Sequence, residues 1–169
     1  MSDGLDITFE IFAKTKNESA VGVLIPALDS PHEVIRERAL VALVDRRSPA
    51  GHRELVRRWH KIGEHQKLLI SERPWPMSTA LRDAVLDTDP QVCANGCDGA
   101  LWFREYDLVP TLINALEDDS NPNVTRAART LTRLIELLYD ELSGPHDYRI
   151  RRDPQFTRRH VTSSLETSV

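Results

Sequence analysis

The sequence has little of what usually advertises chemistry. Aromatic residues make up 6% of its 169 positions, and it holds two cysteines, Cys93 and Cys97. With so few rings, small aliphatic side chains must build most of the core, which suits helices packed closely side by side. Two cysteines behind an acidic start (Met1-Ser2-Asp3-Gly4-Leu5-Asp6) lack the basic-then-apolar pattern of a secretory signal. They read as free thiols in a reducing cytoplasm rather than as a disulfide. The Asn17 and Asn123 sequons then carry no glycan. No run of about 18 apolar residues occurs, so no membrane span is expected. Positive charge is not in excess either. The net charge is -4 and the pI about 5.9, which counts against a general nucleic-acid binder, usually basic. There is no H-E-x-x-H, nucleophile elbow or phosphate-binding glycine loop. No catalytic residue, metal or cofactor is expected.

What is present is helical periodicity. Residues Ala20 to Val44 read as two short amphipathic helices joined by Asp29-Ser30-Pro31, with Pro31 suited to a first helical position. Val21, Leu24, Ile25 and Leu28 share one helical face. After the turn, Ile35, Ala39, Ala42 and Leu43 set a register: an anchor, small residues at +4 and +7, a large one at +8. Ser48-Pro49 predicts a second capped start, with Leu55, Val56, Trp59 and Ile62 in a helix ended by Gly63. A short helix carries Leu68, Leu69 and Ile70, and Ser78 can cap the next.

The register recurs. Cys93, Cys97, Ala100 and Leu101 follow Asp89-Pro90. A longer stripe of Val124, Ala128, Leu131, Leu134, Ile135, Leu138 and Leu142 follows Asn121-Pro122. Thr157, Val161, Ser164 and Leu165 follow Asp153-Pro154 in a more polar version. The anchors Ile35, Cys93, Val124 and Thr157 are 58, 31 and 33 residues apart. A period near 30 with two helices per unit is the mark of an α-solenoid. The organisation read from it is one repeat domain over 1–169. Clear repeats fall at 18–47, 77–106 and 107–142, a degenerate one at 48–76, and partial ones at 1–17 and 143–169.

The phrases L-D-S-P-H-E-V-I-R-E-R-A-L-V-A-L, D-T-D-P-Q-V-C-A-N-G-C-D-G-A-L and S-N-P-N-V-T-R-A-A-R-T-L resemble HEAT-type repeats, in the short-period HEAT-like class found in many bacterial proteins. The resemblance implies an all-α, right-handed solenoid of four to five helical pairs in the armadillo/HEAT style. It implies a non-catalytic protein-interaction or scaffold module. The alternatives it leaves open are a lyase-like or enzyme-associated HEAT protein and a nucleic-acid-binding HEAT module. Its shared positions are packing positions, so no catalytic residue carries over.

Two groups of side chains hold chemistry to be weighed. Cys93 and Cys97 sit four apart on one helical face and can share a metal, but tetrahedral zinc needs two more ligands. Their register places them where Ile35 and Ala39 sit, so they read as core thiols. The arginines are the candidate partner-binding residues: Arg47, Arg53, Arg57 and Arg58 in one cluster, Arg149, Arg151, Arg152, Arg158 and Arg159 in another. On a solenoid they can meet an acidic partner or phosphates. As plain solvated helix ends they would do neither. The partner expected is another protein. The stripe Val161, Leu165 and Val169 predicts either continuation into a longer repeat protein or docking of the C-terminal helix on a partner.

Overall fold

A computed structural model describes residues 3–73 and 77–143. Among these residues the structure is all α, with no strand. The helices are α1 (Asp3–Lys14), α2 (Ser19–Ala27), α3 (Glu33–Asp45), α4 (Pro49–Arg57), α5 (Glu64–Ser71), α6 (Ser78–Val85), α7 (Pro90–Phe103), α8 (Val109–Glu117) and α9 (Val124–Ser143). Single 3-10 turns, Trp59–Lys61 and Tyr106–Leu108, follow α4 and precede α8. None of these helices is long and apolar enough to cross a membrane.

Side-chain caps explain two of the helix starts. Asp89 accepts from the backbone N–H of Gln91 at 2.7 Å and of Val92 at 3.2 Å, with Pro90 as first helical residue. Ser48 caps α4 ahead of Pro49 and donates its hydroxyl to Glu18 at 2.7 Å. Pro31 and Pro122 lie outside the helices they precede, α3 and α9. His32 is the N-cap of α3 in an extended conformation, so Pro31 precedes the cap. Arg36 fastens that turn by donating to the carbonyls of Ser30 and Pro31. Gly63 likewise does not end a long helix. The chain tightens into the 3-10 turn, which buries Trp59, and Gly63 caps α5. Lys67 lies 4.9 Å above the Trp59 ring. Ser78 is the first residue of α6 rather than its cap.

The chain divides into two compact units, Met1–Ala80 and Leu81–Val169. In the first, α3 is central: it packs against α1, α2, α4 and α5, while α2 also packs against α4. Its buried residues, Ala39, Leu40, Ala42, Leu43 and Val44, include three of the expected register positions. In the second unit α9 packs against α7 and α8. Val85, Cys93, Cys97, Tyr106, Leu112, Ala115, Ala127 and Leu134 form its core. Each fully buried leucine contributes about 1.5–3 kcal/mol relative to an exposed one.

The register of α9 differs from the expected stripe by one residue. Val124 and Ile135 are exposed at 38% and 51%, whereas Ala127, Thr130 and Leu134 are buried. The anchor position belongs to Asn123, 30 residues after Cys93. Asn123 is buried because its side-chain amide donates to the carbonyls of Asp87 at 3.1 Å and Thr88 at 3.4 Å. A search for apolar periodicity passes over an asparagine, and it also passes over Thr130. The more polar repeat at Thr157 and the stripe to Val169 lie outside the described residues.

Candidate functional site: the cleft between α7 and α9

In the second unit, α7 and α9 leave a cleft of about 370 Å³ between them. Its α7 wall includes Cys97 and Asp98; its α9 wall includes Arg126, Arg129 and Thr130, with Asn123 at the mouth of that helix. Arg126 and Arg129 are exposed. Among the described residues neither side chain makes a hydrogen bond or ion pair. The two guanidinium groups are three residues apart on one helical face. They stand in the first two turns of a 20-residue helix with no acidic residue in its first turn. Cations at that end oppose the helix dipole. Their placement therefore costs stability locally and, among the described residues, leaves a positive surface that shares the cleft lining with a single acid, the exposed Asp98.

Cys97 lines the cleft, and Cys93 lies one turn earlier on α7, in the core. Cys93 and Cys97 are 0% and 1% exposed and are not disulfide-bonded. They titrate as one system. The Cys93 thiol donates to the carbonyl of Val85 at 3.4 Å. The neighbouring Cys97, together with burial, pushes the Cys93 thiol up. Cys97 is pulled below the ordinary thiol range, first by the hydrogen bond from Cys93, then by the Thr130 hydroxyl and the Arg126 charge, against the cost of burial. Among the described residues no three His, Cys, Asp or Glu side chains gather as a metal site. The cysteines thus occupy the core positions their register predicts, and one of them also lines the cleft.

The arginines singled out in the sequence fare differently. Arg58 is engaged: it donates to both carboxylate oxygens of Asp29, at 2.6 and 2.7 Å, and to Glu54 at 2.6 Å. Its hydrogen bond holds the exposed Asp29 carboxyl below its usual range. Arg47 ends α3 in the left-handed region, at φ 57°. Arg53 and Arg57 are exposed one turn apart on α4. Arg149, Arg151, Arg152, Arg158 and Arg159 lie outside the described residues. Arg126 and Arg129 were not among the sequence candidates, although R-A-A-R following Asn121-Pro122 places two arginines at a helix start, where acids are the favoured charge. No family model, curated protein or solved structure matches the chain.

Proposed function

We infer that the chain is a non-catalytic interaction module, a HEAT-like α-solenoid whose α7–α9 cleft takes up an acidic segment of a partner protein. The solenoid reading is supported within the first unit by the adjacency of α1, α3 and α5, and of α2 and α4. That is the neighbour pattern of stacked helical pairs. The observation that carries the binding reading is the unpaired Arg126–Arg129 pair lining a cleft at the positive end of α9. Guanidinium forks suit carboxylates, and a helix N-terminus reinforces them. A buried, reduced thiol pair fits work in a reducing cytoplasm.

The test is fluorescence anisotropy with an Asp/Glu-rich peptide, a Lys-rich peptide and a single-stranded oligonucleotide. The acidic peptide binds preferentially, and Arg126→Gln/Arg129→Gln weakens it about tenfold or more, equivalent to about 1.4 kcal/mol. Affinity falls as salt rises. Equal binding of the acidic and basic peptides, or an unchanged affinity in the double variant, rejects the site. Preferential capture of the oligonucleotide transfers the cleft to phosphate recognition, for which the same arginines serve but the net charge of -4 is unfavourable.

A further inference from the structure

We propose that the acidic segment taken up by the α7–α9 cleft is the second half of α9 from another copy of this chain, so that two copies pair α9 against α9 in antiparallel. The inference rests on the reading of Arg126 and Arg129 as an acid-binding pair, and it names the acid. Five charged residues of α9, Arg126, Arg129, Arg133, Glu136 and Asp140, follow one another at steps of three, four, three and four. That spacing sets them in one ridge along the helix, and all five are exposed. The ridge is sorted by sign. Its bases fall in the first half of α9 and its acids in the second, with no acid in the first turn and no base in the last. Both ends therefore carry the charge that the helix dipole disfavours. The remaining charge of α9, Glu141, turns instead to Arg104 of α7.

A second copy of the ridge supplies what each half lacks. Arg126 and Arg129 lie seven and four residues before Arg133, and Glu136 and Asp140 three and seven residues after it. A two-fold axis at Arg133 therefore sets Arg126 against the partner's Asp140 and Arg129 against the partner's Glu136. The symmetry repeats both pairs on the other side. At about 1.5 Å per residue the outer pairs fall about 10 Å from the axis. A parallel pairing would set base on base and acid on acid. The two Arg133 side chains meet near the axis, where each already donates to its own Glu136 at 2.8 Å through one carboxylate oxygen. The second oxygen is there for the partner's Arg129. Tyr139, three residues after Glu136, flanks the ridge and is 69% exposed. The same symmetry brings it near the partner's Thr125, a residue of the cleft lining. The ring adds the apolar area that exposed ion pairs, worth little singly, do not provide.

The experiment is sedimentation velocity on the full chain. The expected result is a dimer at low salt whose dissociation constant rises about tenfold or more at high salt. Arg126→Glu/Arg129→Glu and, separately, Glu136→Arg/Asp140→Arg each give monomers. Their equimolar mixture restores the dimer, because each reversed half then faces its complement. All four positions are exposed, so both variants keep their helical circular dichroism. Anisotropy with the Asp/Glu-rich peptide separates this pairing from the binding reading. Glu136→Arg/Asp140→Arg keeps the cleft arginines and binds the peptide at least as tightly as the parent, and in the parent the peptide splits the dimer. A monomeric parent that binds the peptide overturns the pairing alone and returns the cleft to another protein. A parent that neither pairs nor binds the peptide overturns both readings. A dimer that persists in either double variant, or a mixture that stays monomeric, overturns the pairing.

Discussion

Gly96 of α7 lies directly against Ala84 of α6. A Cβ added at Gly96 would sit 2.8 Å from the Ala84 Cβ and 2.8 Å from the Val85 backbone nitrogen. Glycine inside a helix costs about 1 kcal/mol relative to alanine, and this close approach explains why one is there. In Gly96→Ala the helix propensity gain is outweighed, because the atoms in the way are mostly backbone and cannot rotate aside. Overpacking of this kind costs about 1–3 kcal/mol. A lower thermal midpoint is expected, and a rise would show that α6 and α7 can separate freely.

Arg46 clamps the end of α1. Its guanidinium is 2% exposed and donates to the carbonyls of Phe12 at 2.5 Å, Thr15 at 2.8 Å and Asn17 at 3.0 Å. The Asn17 carbonyl also accepts from the Ala20 N–H at 3.1 Å; carbonyls of a last helical turn lack intrahelical partners, and a cation suits that negative end. Arg46→Met keeps the stem and removes the clamp. A loss of about 2 kcal/mol or more is expected in urea unfolding, since hydrogen bonds to charged groups contribute about 1.5–3 kcal/mol each. Amide exchange should quicken first in α1. Uniform acceleration along the chain would contradict the clamp.

The arginines of the cleft should behave in the opposite sense. Because Arg126 and Arg129 oppose the dipole of α9, whose first turn has no acidic residue, Arg126→Glu should raise stability by about 0.3–1 kcal/mol while abolishing acidic-peptide binding. Chemical denaturation and anisotropy on one preparation check both halves. Lower stability in Arg126→Glu would mean that the arginine has a structural task.

His52 sets an acid-side dependence. Burial depresses its pKa, opposed by its Nε2–H bond to the Val44 carbonyl at 3.3 Å. The folded chain holds the imidazole neutral, and the unfolded chain takes up a proton below the ordinary value of about 6.5. Between the depressed folded value and that ordinary value the unfolded state binds more protons. The contribution is therefore full above about pH 6.5 and is lost as pH falls below it. Thermal midpoints at pH 7.5 and 5.5 should diverge less in His52→Gln than in the parent chain. Equal divergence would place the acid sensitivity elsewhere.

Much of this was legible in the residues. Ser48 and Asp89 ahead of prolines gave two helix starts correctly, because a cap is a local interaction between a side chain and the next two or three amides. The buried places of Ala39, Ala42, Leu43, Cys93, Cys97 and Ala100 followed from helical spacing alone. Val124, Ala128 and Leu131 misled by one position, because Asn123 and Thr130 are polar residues whose burial depends on partners from other segments: the Asp87 and Thr88 carbonyls for one, Cys97 for the other. Pro31 misled for a related reason, since a proline marks a helix start without fixing which residue caps it.

The sequence by itself therefore determined the helical class, the caps and the helical face carrying the two thiols, all set within a turn or two of chain. Only the tertiary structure decided that Arg58 is engaged by Asp29 while Arg126 and Arg129 are unpaired among the described residues, and that the latter line a cleft together with Cys97. Whether a charge is neutralised depends on what distant segments bring beside it. Helical periodicity reports only which face a residue occupies.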